Sequence, residues 1–167
     1  MKILVLSALH IEHAPFNPPL ESASSADVVV LAGDIYQGVY AVWWARLTFP
    51  DKPIVLVAGN HEFYRGHWGK ALDAIREAAH VHDVHFLEDA AVMVGDAWFL
   101  GATLWTDFEY FGADLRDAAE RAARSYLADY RLIDGCTPQA SIDRQMASRA
   151  WLESDSLHQL QGAGKWW

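Results

Sequence analysis

The chain has 167 residues and a mass of 18.7 kDa, and 52% of its residues are hydrophobic, which suits one globular domain and is too little for two comfortable ones. Its 22 acidic residues against 13 basic ones give a formal charge of −9, which argues against nucleic acid as a partner held through clustered Lys and Arg, while 13% aromatics argue against an acidic disordered tail. One cysteine, Cys136, excludes an internal disulfide and a cysteine-based zinc cluster, and no apolar run approaches the roughly 20 residues of a membrane span. Lys2 to Leu6 is too short for a secretory apolar region, so a soluble cytoplasmic domain is the expectation.

Three β-branched-rich runs open the chain: Ile3 to Leu6, Val28 to Leu31 and Ile54 to Val57. None alternates, as expected of strands buried on both faces. Ile11 to Ala26 holds Pro15, Pro18, Pro19 and several serines, and reads as a loop. Helical stretches follow the second and third runs, at Val39 to Phe49 and Arg65 to Ala79. The latter puts Trp68, Leu72, Ile75 and Ala79 on one stripe, with Lys70, Asp73, Arg76 and Glu77 largely off it. Strands alternating with helices predict parallel β-α-β units and an α/β fold. Val84 to Leu87, Ala91 to Val94 and Trp98 to Leu104 then read as strands, the last two joined by a Gly95-Asp96 turn. Gly112 to Tyr130 reads as one helix with Leu115, Ala118, Ala119, Ala122 and Tyr126 on its inner face. Thr137 and Pro138 open another as N-cap and first helical residue, running to about Ser154. The ending, Lys165-Trp166-Trp167, reads either as a disordered tail or as a chain cut short.

Polar residues cluster where an open parallel sheet binds ligands, beyond the carboxyl ends of its strands. His10, Asp34, Asn60 and His61 all follow such a strand. Two imidazoles, a carboxylate and an amide oxygen suit Mn²⁺, Fe or Zn²⁺. Taken singly, Gly33-Asp34 reads equally well as a turn or a helix N-cap, and His10 as a hydrogen-bonded surface residue. Gly59-Asn60-His61-Glu62, directly after Val55-Leu56-Val57, has little structural excuse and is the strongest functional signal. His80, His82 and His85 have ligand-like spacing, but the topology puts them on the far side of the sheet as solvated connection residues. Tyr64 and His67 fall near the candidate site, whereas Trp43, Trp44 and Trp68 read as packing aromatics. Ser7 lacks a partner that would make it a nucleophile.

In order and context, Leu9-His10, Gly33-Asp34 and Gly59-Asn60-His61-Glu62 resemble the calcineurin-like metallophosphoesterases. Members carry Asp-x-His after the first strand, Gly-Asp after the second, Gly-Asn-His-Asp/Glu after the third, then a lone His and a Gly-His-x-His motif. The resemblance extends through Gly101 to Trp105, Asp129 to Ile133 and the Thr137-Pro138 helix start. It implies an α-β-β-α sandwich, with residues 1–167 as the amino-terminal portion of a single phosphoesterase domain. It also implies a hydrolase of phosphomono- or phosphodiesters with two divalent metal ions, Mn, Fe or Zn. On that resemblance Asp34 bridges the ions, His10 holds the first, Asn60 holds the second, and His61 is catalytic, stabilising or protonating the leaving oxygen. Two such ions about 3.5–4 Å apart clamp a phosphate and stabilise in-line displacement. They also supply positive charge that a chain at −9 otherwise lacks.

Two departures from the pattern stand out. Ala8 occupies the position of the aspartate in Asp-x-His, so the first ion loses an anionic ligand. The lone His and Gly-His-x-His fall beyond residue 167, and His158 is not assigned to their roles. The metal ligands expected here are therefore an incomplete set of His10, Asp34 and Asn60, with hydrolysis weakened and the chain truncated. The expected partner is a phosphoester, with no membrane contact and no nucleic acid, and with self-association through an incomplete sheet. Ala8 also admits a rival of another class, a non-catalytic pseudo-enzyme or interaction protein of the same fold. A gene interrupted by a frameshift is a further reading.

Overall fold

A computed structural model describes residues 1–154. Lys165-Trp166-Trp167 and His158, singled out in the sequence, lie outside the described residues. All three runs form strands as predicted, but the first is covered on one face only, because it lies at the sheet edge with Ile3 and Val5 exposed. β1 (Ile3–Leu6), β2 (Val28–Ala32), β3 (Ile54–Val57) and the short β4 (His85–Phe86) form one parallel sheet in the order β1-β2-β3-β4. Its register aligns Leu4 with Val29 and Val30 with Val55. Parallel neighbours require crossovers, and α1 (Leu20–Ser25), α2 (Tyr40–Thr48) and α3 (Trp68–Val81) lie in the three that join these strands. α3 buries Trp68, Leu72, Ile75 and Ala79, the stripe read from its periodicity.

The two faces of the sheet are covered differently. Val29, Leu31, Ile54 and Leu56 pack against Ala41, Val42 and Ala45 of α2 and Ile75 and Ala79 of α3. On the other face Val28, Val55 and Leu87 meet Ala90, Val92, Val94 and Phe99. The latter belong to an antiparallel hairpin, β5 (Ala90–Val94) and β6 (Ala97–Gly101), closed by Gly95-Asp96 as predicted. The result is a helix layer, a parallel sheet and a second sheet stacked in that order. Gly101 sets the spacing of the two sheets, because a Cβ there would lie 2.5 Å from Leu87 Cβ and 2.8 Å from Val57 Cγ2. At the free edge, Ile3 and Val5 of β1 are exposed; they share a face with their partners Val28 and Val30.

Three elements differ from expectation. The proline-rich connection contains one short helix, α1, which starts directly after Pro19, where the fixed φ of proline favours a helix start. The strand predicted over Trp98 to Leu104 stops at Gly101, and residues 102–106 line a cleft instead. The 112–130 helix is broken. A 3₁₀ turn (Ala113–Leu115) leads into α4 (Arg116–Tyr126), Leu127 is extended, and α5 (Asp129–Leu132) follows. The face that α4 buries centres on Ala123, while Leu115 and Tyr126 are exposed. Ala118, Ala119, Ala122 and Ala123 share one face of that helix, but methyl side chains commit little area to a contact, and only Ala123 is buried. α6 (Pro138–Leu152) starts as read, with Thr137 Oγ1 accepting from the Ala140 N–H at 3.1 Å. Among the described residues no helix is long and apolar enough to cross a membrane.

Candidate active site

The site is built where β1, β2 and β3 end. The loops after β1 and β2 run side by side: the N–H groups of Ala8, His10 and Ile11 donate to the carbonyls of Gly33, Asp34 and Ile35, each at 3.0 Å. This pairing carries His10 to Asp34, 24 positions away in sequence. Ala8, His10 and Asp34 all adopt left-handed backbone, with φ of 51°, 46° and 56°. Such conformations cost non-glycine residues of order 1 kcal/mol or more each and concentrate at functional sites. Asp tolerates this region better than Ala, because its short polar side chain can bond locally.

Glu62 locks the second and third loops together. Its side chain is buried, and it accepts from the N–H of Gly59 at 2.7 Å, Asp34 at 3.0 Å and Ile35 at 2.7 Å. Burial pushes this carboxyl above the ordinary value, and the three N–H bonds act against that shift. Gly59 has no room for a side chain, since a Cβ would collide with the Asp34 carboxylate. The Asp34 carboxylate in turn accepts from the His61 N–H at 3.1 Å, so the aspartate is held by the backbone of the next loop.

His61 stands between two groups of partners. Its Nδ1 lies 2.7 Å from Glu12 Oε1 and 3.2 Å from His10 Nδ1. Its ring stacks on Tyr64 with centroids 4.3 Å apart. Burial is the largest influence on Glu12 and raises its carboxyl. The hydrogen bonds from His61 and its own backbone, with the nearby His61 and His13 rings, outweigh it and hold the group below the ordinary value. Asn60 faces the other way: its Nδ2 donates to Asp129 Oδ1 at 2.7 Å and to Tyr64 Oη at 3.0 Å. Tyr64 Oη donates to the same Asp129 oxygen at 2.7 Å. Burial, then this hydrogen bond to a carboxylate, pushes the Tyr64 phenol well above its usual value and keeps it protonated. With Nδ2 committed, the Asn60 amide oxygen, the atom a cation would take, is uncommitted among the described residues. Asp34, Asn60 and Asp129 border a cleft of about 650 Å³ that Leu100, Leu104 and Leu152 also line.

The structure therefore brings the four residues read from sequence to the ends of the strands: the His10 and His61 rings meet, Asp34 accepts from the main-chain N–H of both, and Asn60 borders the cleft with Asp34. The set of imidazole, carboxylate and amide donors fits divalent transition cations. Among the described residues, one Glu12 oxygen, Oε2, is buried without a hydrogen-bond partner. Ala8 presents no donor atom. His67 does not line the rim; it occupies the N-cap position of α3 without a side-chain capping bond, and its ring lies near Gly135. His80, His82 and His85 sit at the other end of the sheet, where His85 pairs with Val55 and the His82 carbonyl accepts from Arg46 Nε at 2.9 Å. Sequence reasoning missed Glu12, which shares a turn with His10, and the pairing of Asp129 with Asn60. The proximity of Glu12 to His10 was a usable signal. Nothing in the sequence linked Asp129 to Asn60 across 69 positions.

Comparison with known proteins adds independent findings. A family model described as calcineurin-like phosphoesterase matches residues 1–127. Among solved structures the chain is similar to phosphopantetheinyl hydrolase (PptH) from Mycobacterium tuberculosis, with a TM-score of 0.66 and 17% identity. The match covers 92% of this chain and 63% of that one, so the chain spans under two thirds of the length of the structure it resembles. At that identity the likeness speaks for the fold. No curated protein matches the sequence.

Proposed function

The chain belongs to the calcineurin-like phosphoesterase family, and from that premise we propose that it is a metal-dependent hydrolase of phosphomono- or phosphodiesters acting in the cleft beside Asp34 and Asn60. The convergence of three loops carries this reading: the Asp34 carboxylate, fixed by the His61 N–H at 3.1 Å, stands beside His10 and Asn60 at the carboxyl ends of β1, β2 and β3. Divalent ions taken by His10, Asp34 and Asn60 supply Lewis acidity and an activated water when bound. Asp34 is aimed for that task by Glu62 and Gly59. The amide of Asn60 is oriented by Asp129 and Tyr64, which pin its NH₂ end and leave its oxygen to ligate. His61, through the ring nitrogen that Glu12 does not engage, donates to the leaving oxygen of the ester. The apolar wall of Leu100, Leu104 and Leu152 takes the organic part of the substrate and reduces water access. The same reading places residues 1–167 within a single phosphoesterase domain.

Ala8 weakens this chemistry by withholding an anionic ligand, and it also favours a second reading, a non-catalytic binding protein of the same fold. The test is turnover of a chromogenic phosphodiester with added Mn²⁺. Slow wild-type turnover that rises at least tenfold in Ala8→Asp and vanishes in Asp34→Asn supports the hydrolase. Ala8→Asp protein that binds Mn²⁺ but turns over no phosphomono- or phosphodiester points to the non-catalytic reading instead.

A further inference from the structure

Glu12 is absorbed by none of the roles above, yet its side chain is 8% exposed and lies against two imidazoles. A ring nitrogen offers one in-plane position, either a proton or a lone pair. His61 Nδ1 nevertheless faces two partners at hydrogen-bonding distance, Glu12 Oε1 at 2.7 Å and His10 Nδ1 at 3.2 Å. One proton on that nitrogen cannot serve both contacts well. The third edge of the triangle, His10 Nδ1 to Glu12 Oε1, is 3.7 Å. Two donors each about 2.1 Å from a tetrahedral cation lie roughly 3.4 Å apart. The observed edges of 2.7, 3.2 and 3.7 Å bracket that spacing. Among the described residues the second oxygen of Glu12, Oε2, is buried and has no hydrogen-bond partner, and a buried polar atom left so is costly unless something satisfies it.

We propose that His10, Glu12 and His61 form a site for one divalent transition cation of the zinc class, in which Glu12 furnishes the carboxylate that position 8 does not. Two imidazoles and one carboxylate are a donor set that zinc-type ions take with an open fourth position, and nitrogen donors select against Mg²⁺ and Ca²⁺. His10 and Glu12 stand on one turn, closed by the His13 N–H to the His10 carbonyl at 2.8 Å, so two of the three ligands are already held together. Asp34 and Asn60 are not part of this site. It stands whether or not the chain turns over a phosphoester, and it is read by binding alone.

The test titrates the whole chain with Co²⁺, whose visible d–d bands report nitrogen ligation and low coordination number, followed by competition with Zn²⁺. One Co²⁺ per chain with strong visible bands, displaced by Zn²⁺, is the expected result. Glu12→Gln and His10→Gln should each weaken binding at least tenfold, while His80→Gln, at the other end of the sheet, should change it less than threefold. Far-UV circular dichroism of each metal-free variant separates lost ligation from lost folding. Absence of Co²⁺ binding to wild type, or Co²⁺ affinity unchanged by a folded Glu12→Gln, overturns the proposal. So does binding abolished by Asp34→Asn and spared by Glu12→Gln, which would place the cation at the aspartate instead.

Discussion

Replacing Glu62 tests whether the loops of the site are held by one buried carboxylate. Glu62 accepts three backbone N–H bonds, from Gly59, Asp34 and Ile35, at 2.7, 3.0 and 2.7 Å. Bonds to a charged acceptor contribute about 1.5–3 kcal/mol each, and a buried donor left unpaired costs about 1–3 kcal/mol. Glutamine is nearly isosteric but has one oxygen. Placed at the Oε2 position it keeps the Gly59 and Asp34 bonds in weaker, uncharged form and turns an NH₂ toward the Ile35 N–H. The loss is partly offset, because a neutral amide is cheaper to bury than a carboxylate. The expected net cost of Glu62→Gln is about 2–3 kcal/mol. Glu62→Ala orphans all three donors and opens a cavity, for about 4–5 kcal/mol. In a chain of this size 1 kcal/mol moves the melting temperature by about 2–4 °C, so Gln should lower it by about 5–10 °C. Urea unfolding followed by tryptophan fluorescence measures both variants. A Gln variant within about 0.5 kcal/mol of wild type, with Ala within about 1 kcal/mol, would refute the assignment of Glu62 as the clasp.

Other perturbations address the same architecture. Gly59→Ala drives a methyl group into the Asp34 carboxylate and should cost about 1–3 kcal/mol and reduce Mn²⁺ binding more than tenfold. Gly69→Ala in α3, where the nearest atom is 3.8 Å away, should be neutral or stabilising; equal effects at the two glycines would contradict the steric argument. Glu88 is buried, which raises its carboxyl above the ordinary value despite hydrogen bonds from the Thr103 hydroxyl and N–H. A raised folded-state value means that this group's stabilising contribution is present below the ordinary 4.5 and is lost as pH rises through the folded-state value. Glu88→Gln, which cannot titrate, should therefore gain stability relative to wild type as pH climbs from that point, and parallel stability profiles would refute this. Burial pushes the Cys136 thiol up to about 11, so alkylation by iodoacetamide at pH 8 should be at least 100-fold slower in native than in urea-unfolded protein. Comparable rates would show that the thiol is accessible.

Local pattern was enough to read the sheet, α2, α3 and the start of α6, whereas α1, six residues within a proline-rich connection, read as loop. The runs around Val29, Leu31, Val55 and Leu56 lack polar alternation because both faces of those strands are covered, and that burial is written into the residues themselves. The stripe on α3, the Gly95-Asp96 turn and the Thr137-Pro138 start are likewise decided within a few neighbours. The motifs were legible for a related reason: each ligand type directly follows a strand end, and a parallel sheet sends all those ends to one rim. α4 shows an alanine face in its sequence, but which of those residues is buried was not legible: side chains this small commit little area, and packing alone selects Ala123 over Tyr126.

Sequence by itself determined which residue types stand at the rim, including the donor that Ala8 lacks, since chain order and strand ends suffice to place them there. Tertiary structure alone decided their partnerships. It set Glu12 against His61, tied Asn60 to Asp129, and gave Glu62 three backbone donors from two separate loops. These are contacts of a few ångströms between residues that are 49 and 69 positions apart in two of the cases. Periodicity carries no information at that range, because side-chain distances across loops are set by how the strands beneath them are registered and packed.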